Sequence, residues 1–98
     1  MAEPVYLLVL GTGWTEAWHQ LSKQEQESLW AQAQESDDRA GAKWVIKCYS
    51  RWADEGLYDW AVIEYPSMEA YQKKVKELEA LNFWRYWSAK TVLGTKMP

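Results

Sequence analysis

The sequence predicts a small α+β domain with the element order β-α-β-β-α-β. Three observations support this order: an apolar run typical of a buried strand, two serine caps that each begin a helix, and an alternating apolar pattern followed by a glycine-containing turn. Two segments of helix length therefore separate the strands. With 98 residues the chain is expected to form one domain, residues 1–98.

The first strand is predicted at Val5–Leu10, a continuous aliphatic run that includes one tyrosine. The segment from Gly11 to Leu21 is predicted to be a long connection, with a short turn of helix starting at Thr15. The chain is therefore expected to leave the sheet at Gly11.

The pattern G-x-G-x-x-A that begins at Gly11 also matches a dinucleotide-binding loop. In such a fold, the helix that holds the pyrophosphate begins inside the motif. Here the strong helix cap is Ser22, nine residues after Gly13, and a doubly wound sheet needs more strands than 98 residues supply. We therefore interpret the two glycines as turn residues that bring Trp14 and Trp18 over the sheet edge.

Both long helices are predicted from their caps. Ser22 and Glu25 have capping-box spacing, so a helix is expected to run to about Asp38, with Gly41 as a left-handed cap beyond it. Ser67 is expected to cap a second helix. The apolar stripe of that helix consists of Met68, Tyr71, Val75 and Leu78. Its solvated face is expected to comprise Lys73, Lys74, Lys76, Glu77 and Glu79.

The middle of the chain predicts a hairpin, with a strand at Trp44–Trp52, a loop containing Gly56 and a return strand at Tyr58–Tyr65. Lys47 is expected to lie opposite Glu64 as a cross-strand ion pair. Alternation along the first strand assigns Trp44, Ile46 and Cys48 to one face and Lys47, Tyr49 and Arg51 to the other.

A last strand is predicted at Ala89–Lys96. The complete order is that of the ferredoxin-like fold, a four-stranded antiparallel sheet with both helices on one face. This arrangement leaves the other face of the sheet uncovered. An open apolar face on a small domain is expected to meet a partner.

The composition is unusual in its aromatic residues: eight Trp and six Tyr accompany a single Phe. Trp and Tyr combine a large apolar surface with a polar tip, which suits interfaces and mixed pockets. A bulky core with an aromatic dimer contact and a ligand pocket that shares those aromatics both fit this composition.

Charge and cysteine content exclude several classes of function. The net charge of −3 gives no electrostatic reason to expect nucleic acid or an anionic membrane as a partner. The first apolar run is too short for a signal peptide or a membrane span, so a cytoplasmic location is expected. Cys48 is the only cysteine and His19 the only histidine, which excludes an internal disulfide and a structural zinc site. We predict no metal and no cofactor.

An RNA-recognition domain has the same topology and is one alternative. Residues 5–7 resemble its first-strand pattern, and Tyr58, Trp60 and Tyr65 resemble the spaced aromatics on which it stacks bases. The basic-Gly opening of its third-strand motif is missing, and the hairpin loop 53–57 is acidic rather than basic. We therefore rank this alternative below a small-molecule function.

Three stretches resemble the dimeric α/β-barrel superfamily over nearly the whole chain. Trp18–Glu25 is similar to the W-x-x-L-S-x-E-E opening of the first helix in small members, including darcynin-like proteins. Glu64–Tyr71 is similar to the passage from the third strand into the second helix. Asn82–Trp87 is similar to the F-W-x-Y-F step before the last strand.

This resemblance implies a homodimer whose sheets pack face to face, with a pocket between each sheet and its own helices. The superfamily includes cofactor-free monooxygenases and cyclases of aromatic polyketides, heme enzymes, lyases and stress proteins. The matching motifs are structural, so the resemblance carries no catalytic residue over to this chain.

Candidate site residues come from their chemistry. His19 is expected to act as a general acid or base, or to be a solvated loop residue, with heme ligation as a lesser alternative. Tyr49 and Arg51 are expected to orient and polarise a substrate oxygen, unless their strand faces water or a partner. The tryptophans expected to bind the substrate are Trp14, Trp18, Trp84, Trp87 and Trp60.

We therefore predict a cofactor-independent enzyme of oxygenase, cyclase or lyase type that acts on a mainly apolar, aromatic substrate in a Trp/Tyr-lined pocket. The alternative is a non-catalytic homodimer that binds a ligand or serves as an accessory protein. A heme-binding protein and an RNA-recognition-type domain are lesser alternatives. The expected partners are a second copy of the chain and a small molecule.

Overall fold

A computed structural model describes residues 3–98 of the protein. Met1 and Ala2, which the expected domain 1–98 includes, lie outside the described residues. The strands are β1 (Val5–Trp14), β2 (Lys43–Tyr49), β3 (Asp59–Tyr65) and β4 (Trp87–Gly94). The helices are α1 (Glu16–His19), α2 (Lys23–Arg39) and α3 (Met68–Ala80), with a 3-10 turn at Phe83–Arg85. The predicted order β-α-β-β-α-β is confirmed, and the short turn of helix expected at Thr15 is α1.

The four strands form one antiparallel sheet in the order β2-β3-β1-β4, which confirms the ferredoxin-like arrangement. One face of this sheet packs against α2 and α3. Its main core cluster consists of Val5, Leu7, Ala40, Ile63 and Tyr65. A second cluster joins the two helices to the 3-10 turn and consists of Ala33, Leu78 and Phe83. Every other residue of β1 and β3 thus faces the helices, as the period of a strand requires.

The opposite face of the sheet, here called the open face, carries apolar side chains that no helix covers. Its apolar part consists of Tyr6, Leu8, Leu10, Ile46, Trp60, Val62 and Val92, placed together by the strand register. Ile46 is 48% and Val92 49% exposed. Cys48, which pairs with Trp60 on this face, is half-buried.

β1 is four residues longer than predicted, because the chain stays in the sheet from Gly11 to Trp14. The pairing with β4 shifts between Gly11 and Gly13, and Gly13 has a φ of +133°. A side chain at Gly11 would collide with the Asp59 carboxylate and the Trp87 indole. The glycines therefore permit a bulge and a close approach inside the strand, rather than the predicted exit from the sheet.

Both predicted helix caps are confirmed. The Ser22 hydroxyl accepts a hydrogen bond from the backbone N–H of Glu25 at 3.1 Å, and the Glu25 carboxylate accepts one from the backbone N–H of Ser22 at 3.0 Å. Gly41 follows α2 with a φ of +74°. The Ser67 hydroxyl accepts from the backbone N–H of Ala70 at 3.1 Å at the start of α3. The hydrogen bonds of each cap join residues three positions apart, which is why the sequence alone predicts them.

The pairing of β2 corrects two predictions. A bulge between Trp44 and Ile46 places Trp44 opposite Ile63 and Ile46 opposite Val62. Trp44 therefore shares the helix-covered face with Lys47, and not the face of Ile46.

Lys47 lies opposite Ala61, so the predicted pairing of Lys47 with Glu64 is wrong; Lys43 holds that position. The register is set by the turn that leaves β2 at Ser50, whose backbone N–H donates to the carbonyl of Tyr58 at 2.9 Å.

The bounds of β2, β3 and β4 lie within three residues of the prediction. β2 ends at Tyr49 because residues 50–53 form a turn, β3 begins at Asp59, and β4 begins at Trp87 rather than at Ala89. Trp87 thus belongs to the sheet, where it pairs with Trp14. Within residues 3–98, no helix combines the length and apolarity that crossing a membrane requires.

Candidate functional site

A cavity of about 380 Å³ lies between the helix-covered face of the sheet and the helices. This volume falls in the range of small-molecule sites, roughly 300–1,000 Å³. The aliphatic part of its wall includes Leu7, Val9, Ala61, Ile63 and Leu78. The position agrees with the pocket that the family resemblance implies.

Aromatic side chains close one end of the cavity, with Trp14 at their centre. The Trp14 ring stacks on Trp18, with 3.9 Å between ring centroids and 15° between planes. It meets Trp30 edge-on at 5.7 Å and Trp87 at 4.7 Å. Phe83 completes this aromatic cluster at 6.2 Å. The cluster is formed by distant segments, because β1, α2, β4 and the 3-10 turn each contribute to it.

The predicted substrate-binding tryptophans divide between the cavity and other surfaces. Trp14, Trp84 and Trp87 line the cavity. Trp18 is not among the lining residues and instead packs on the ring of Trp14. Trp60 lies on the open face, where it pairs with Leu10 and is separated from the cavity by the sheet itself.

The three predicted catalytic residues are not brought together around the cavity. Tyr49 lines it and is 59% exposed. His19 is exposed at the end of α1 and is not a lining residue. Arg51 lies beyond the end of β2, where its guanidinium donates to the carbonyl of Thr12 at 3.4 Å and sits 5.7 Å from the ring centroid of Tyr58.

A buried polar cluster that was not predicted stands at the other end of the cavity. The Lys74 ammonium donates to the Tyr65 hydroxyl at 2.8 Å, and that hydroxyl donates to the Asp37 carboxylate at 2.9 Å. Lys74 Nζ also lies 3.5 Å from Asp37 Oδ1. Asp37 and Lys74 line the cavity. All three residues are buried, Tyr65 completely.

The pKa values of Lys74 and Tyr65 are shifted in opposite directions. Loss of solvent lowers the pKa of Lys74 below its ordinary 10.5, while the neighbouring Asp37 opposes that shift. Loss of solvent, reinforced by the Asp37 charge, raises the pKa of Tyr65 well above its ordinary value. Tyr65 therefore remains a protonated hydroxyl that donates to Asp37 at neutral pH.

The sequence did contain one signal for this cluster. Lys74 was assigned to the solvated face of α3, yet it follows Tyr71 by three residues and precedes Leu78 by four. That spacing puts it on the apolar stripe. Asp37 likewise follows the buried Ala33 by four residues on α2. No pattern within a single segment of the sequence predicts that the two helices meet over Tyr65.

A second polar group lies toward the other end of β3. Asp59 lines the cavity, and burial raises its pKa above the ordinary value, with Lys47 acting against the shift. Lys47 Nζ sits 5.3 Å from the ring centroids of both Trp30 and Trp44. Asp59 is six residues from Tyr65 along one strand, about 20 Å between Cα atoms. The cavity therefore has a polar group toward each end, with Asp59 beside the Trp87 indole of the aromatic end, and an apolar middle.

Comparison with solved structures finds the same fold in proteins of remote sequence. A methylated RPA0582 protein matches with a TM-score of 0.66 at 12% identity, over 100% of this chain and 84% of that one. A variant of SnoaB, a cofactor-independent oxygenase from Streptomyces nogalater, matches with a TM-score of 0.53 at 16% identity, over 99% of this chain and 96% of that one. The sequence matches no protein-family model and no curated protein sequence. At these identities the likeness concerns the fold.

Proposed function

We propose that this protein is a cofactor-independent enzyme that acts on a mainly apolar, aromatic small molecule in the cavity between sheet and helices. The observation that carries the proposal is the cavity itself, about 380 Å³ with indole rings at one end and ionisable groups in its wall. SnoaB, which shares the fold, is a cofactor-independent oxygenase. Among the predicted reaction types, this likeness favours oxygenation over cyclisation or a lyase step. A closer kinship with darcynin-like proteins is part of the same proposal.

The roles in this proposal go to groups that line the cavity. Asp59 is the carboxylate suited to accept a substrate proton, because its raised pKa brings it nearer to neutral pH. Tyr49 lies opposite Asp59 in the strand register and is suited to donate a hydrogen bond to a substrate oxygen. His19 and Arg51 take part only if α1 and the turn after β2 move toward the cavity.

The proposal includes a homodimer that buries the open face. A second copy of the chain is the occupant that the family resemblance implies, and seven apolar side chains lie together on this face. In such a dimer Trp60 contributes to the contact between subunits and not to substrate binding.

A non-catalytic ligand-binding protein is the second candidate. It is favoured by the positions of His19 and Arg51, which leave the cavity without its predicted histidine and arginine. The RNA-recognition alternative is opposed by the complete burial of Tyr65, since that ring cannot stack on a base. The heme alternative is opposed by the position of His19 outside the cavity.

Turnover and binding separate these candidates. Metal-depleted protein is incubated with polycyclic phenols; oxygen consumption and product mass are followed, and binding is read from tryptophan fluorescence. The enzyme proposal expects turnover that falls at least tenfold in Asp59→Asn and Tyr49→Phe, with Glu55→Gln as the control on the exposed loop 53–57. Binding without turnover would favour the second candidate. Absence of binding by every phenol at millimolar concentration would overturn both.

A further inference from the structure

The Lys74 ammonium has more donors than the protein has acceptors beside it. An ammonium carries three N–H groups. Two acceptors lie near it, the Tyr65 hydroxyl oxygen at 2.8 Å and Asp37 Oδ1 at 3.5 Å. The side chain is only 9% exposed, so bulk water does not readily satisfy the third donor. An unsatisfied buried donor is unfavourable, and Lys74 lines the cavity.

The charges of this cluster select against an anionic ligand. The positive Lys74 and the negative Asp37 balance each other, and Tyr65 remains neutral because its pKa is raised. A carboxylate entering here would add an uncompensated negative charge beside Asp37 in an apolar cavity. A neutral carbonyl oxygen accepts a hydrogen bond without adding charge.

The walls around Lys74 fit a flat apolar body. Tyr71 lies with its ring centroid 5.8 Å from the Lys74 nitrogen, and its own hydroxyl has a pKa raised by burial. Ile63 and Val75 are further apolar residues of the cavity wall. The Lys74 ammonium is therefore a charged hydrogen-bond donor set in a largely apolar part of the cavity wall, with the neutral Tyr71 hydroxyl as its polar neighbour.

We propose that Lys74 anchors the ligand by donating a hydrogen bond to the carbonyl oxygen of a neutral aromatic ketone, with Tyr65 and Asp37 as positioning residues. The inference rests on the proposed function, because it assumes that the cavity receives an aromatic molecule. It adds the class of oxygen that is recognised and the end of the cavity at which that oxygen is held.

Three probes of matched shape test the anchor: fluorenone, fluorene and fluorene-9-carboxylate. Their dissociation constants are measured at pH 7 by quenching of tryptophan fluorescence. The wild-type protein should bind fluorenone about tenfold or more tightly than fluorene, as a hydrogen bond from a charged donor requires. It should bind the carboxylate more weakly than the ketone.

Variants assign the preference to Lys74. In Lys74→Met the affinities for fluorenone and fluorene should become equal, while that for fluorene is retained. Lys76→Met, an exposed lysine on the same helix, should leave all three affinities unchanged. In Tyr65→Phe the preference should shrink, because Lys74 loses the partner that fixes its position.

A measurement on the wild-type protein keeps the test valid if Lys74→Met does not fold. The infrared carbonyl stretch of bound fluorenone should lie at lower frequency than in hexane, because a hydrogen bond weakens the C=O bond. Equal affinities for fluorenone and fluorene, or an unshifted stretch, would overturn the anchor and leave the cavity proposal standing. Tightest binding of the carboxylate would also overturn it. Failure of all three probes to bind would overturn the anchor and the cavity proposal together.

Discussion

The nitrogen of Lys74 lies 2.8 Å from the hydroxyl oxygen of Tyr65, at a position where Tyr65 has no contact with solvent. This bond connects α3 to the end of β3, and the Tyr65 hydroxyl extends the connection to Asp37 on α2 at 2.9 Å. One hydroxyl group therefore joins both long helices to the sheet. Removal of this hydroxyl should therefore lower the stability of the whole fold.

We expect Tyr65→Phe to lower the free energy of unfolding by about 2–3 kcal/mol, because two buried charged groups each lose a hydrogen-bond partner. Urea denaturation followed by circular dichroism measures the change. Tyr71→Phe is the matched control. The Tyr71 ring packs 5.3 Å from that of Tyr65, but its hydroxyl bonds to neither Lys74 nor Asp37. Equal effects of the two substitutions would contradict the prediction.

Gly11→Ala should destabilise the protein by about 1–3 kcal/mol, because the new methyl group collides with the Asp59 carboxylate and the Trp87 indole. Gly94→Ala adds the same methyl group to another strand, where it meets no heavy atom of residues 3–98 within 4 Å beyond its chain neighbours. Its effect should stay within about 0.5 kcal/mol. Thermal unfolding of the two variants compares them directly, and a tolerated Gly11→Ala would be evidence against the close approach.

Trp14→Ala should lower the free energy of unfolding by about 3–5 kcal/mol, because the other rings of the aromatic cluster all contact Trp14. Trp52→Ala removes an indole that is 81% exposed and should change stability by less than about 0.5 kcal/mol. Urea midpoints at a fixed protein concentration measure both. A small loss in Trp14→Ala would mean that the cluster is not a packing centre.

The capping box predicts a contribution to stability that depends on pH. Backbone and side-chain hydrogen bonds with Ser22 lower the pKa of Glu25 below its ordinary 4.5. The contribution is therefore present above pH 4.5 and is lost as the pH falls through the lower value of the folded state. Glu25→Gln should lower the free energy of unfolding at pH 7. It should also make that free energy fall less as the pH is lowered.

Unfolding midpoints between pH 2.5 and pH 7 test this prediction. Glu27→Gln, at an exposed position two residues further along α2, removes an equal charge without touching the cap. A Glu25→Gln profile that coincides with that of Glu27→Gln would show that the cap has no such role.

The proposed dimer predicts that a charge on the open face separates the subunits. The wild-type chain should sediment as a dimer at micromolar concentration. Val62→Lys should sediment as a folded monomer, because Val62 lies between Leu8 and Ile46 at the middle of the face. Gln72→Lys adds the same charge at an exposed position of α3 and should remain dimeric. A wild-type monomer would remove the dimer from the proposal.

Most of the fold was predicted from signals that lie within one segment of the chain. The caps at Ser22 and Ser67 and the left-handed Gly41 were found because each depends on neighbours a few residues away. The bulge between Trp44 and Ile46 was not found, because its only cause is the pairing with β3. One inserted residue then reversed the face assigned to Trp44.

Part of the cavity wall was also predicted. Aromatic composition pointed to Trp14, Trp84 and Trp87, and side-chain chemistry pointed to Tyr49. All four line the cavity, and their roles in binding or catalysis stay predictions. Lys74 and Asp37 were missed because they are 37 residues apart and become neighbours only when α2 and α3 pack over β3. A lysine on a helix is also usually solvated, so its place on the apolar stripe carried little weight.

The parallel contact between the Trp14 and Trp18 rings gives the protein an optical reporter of its own. Two indoles at this separation couple their electronic transitions, so they should produce a paired positive and negative band in circular dichroism that isolated indoles lack. Because one ring lies in β1 and the other in α1, the band should vanish when that corner opens. Loosening of the end of the cavity can thus be followed without any label, separately from unfolding of the sheet.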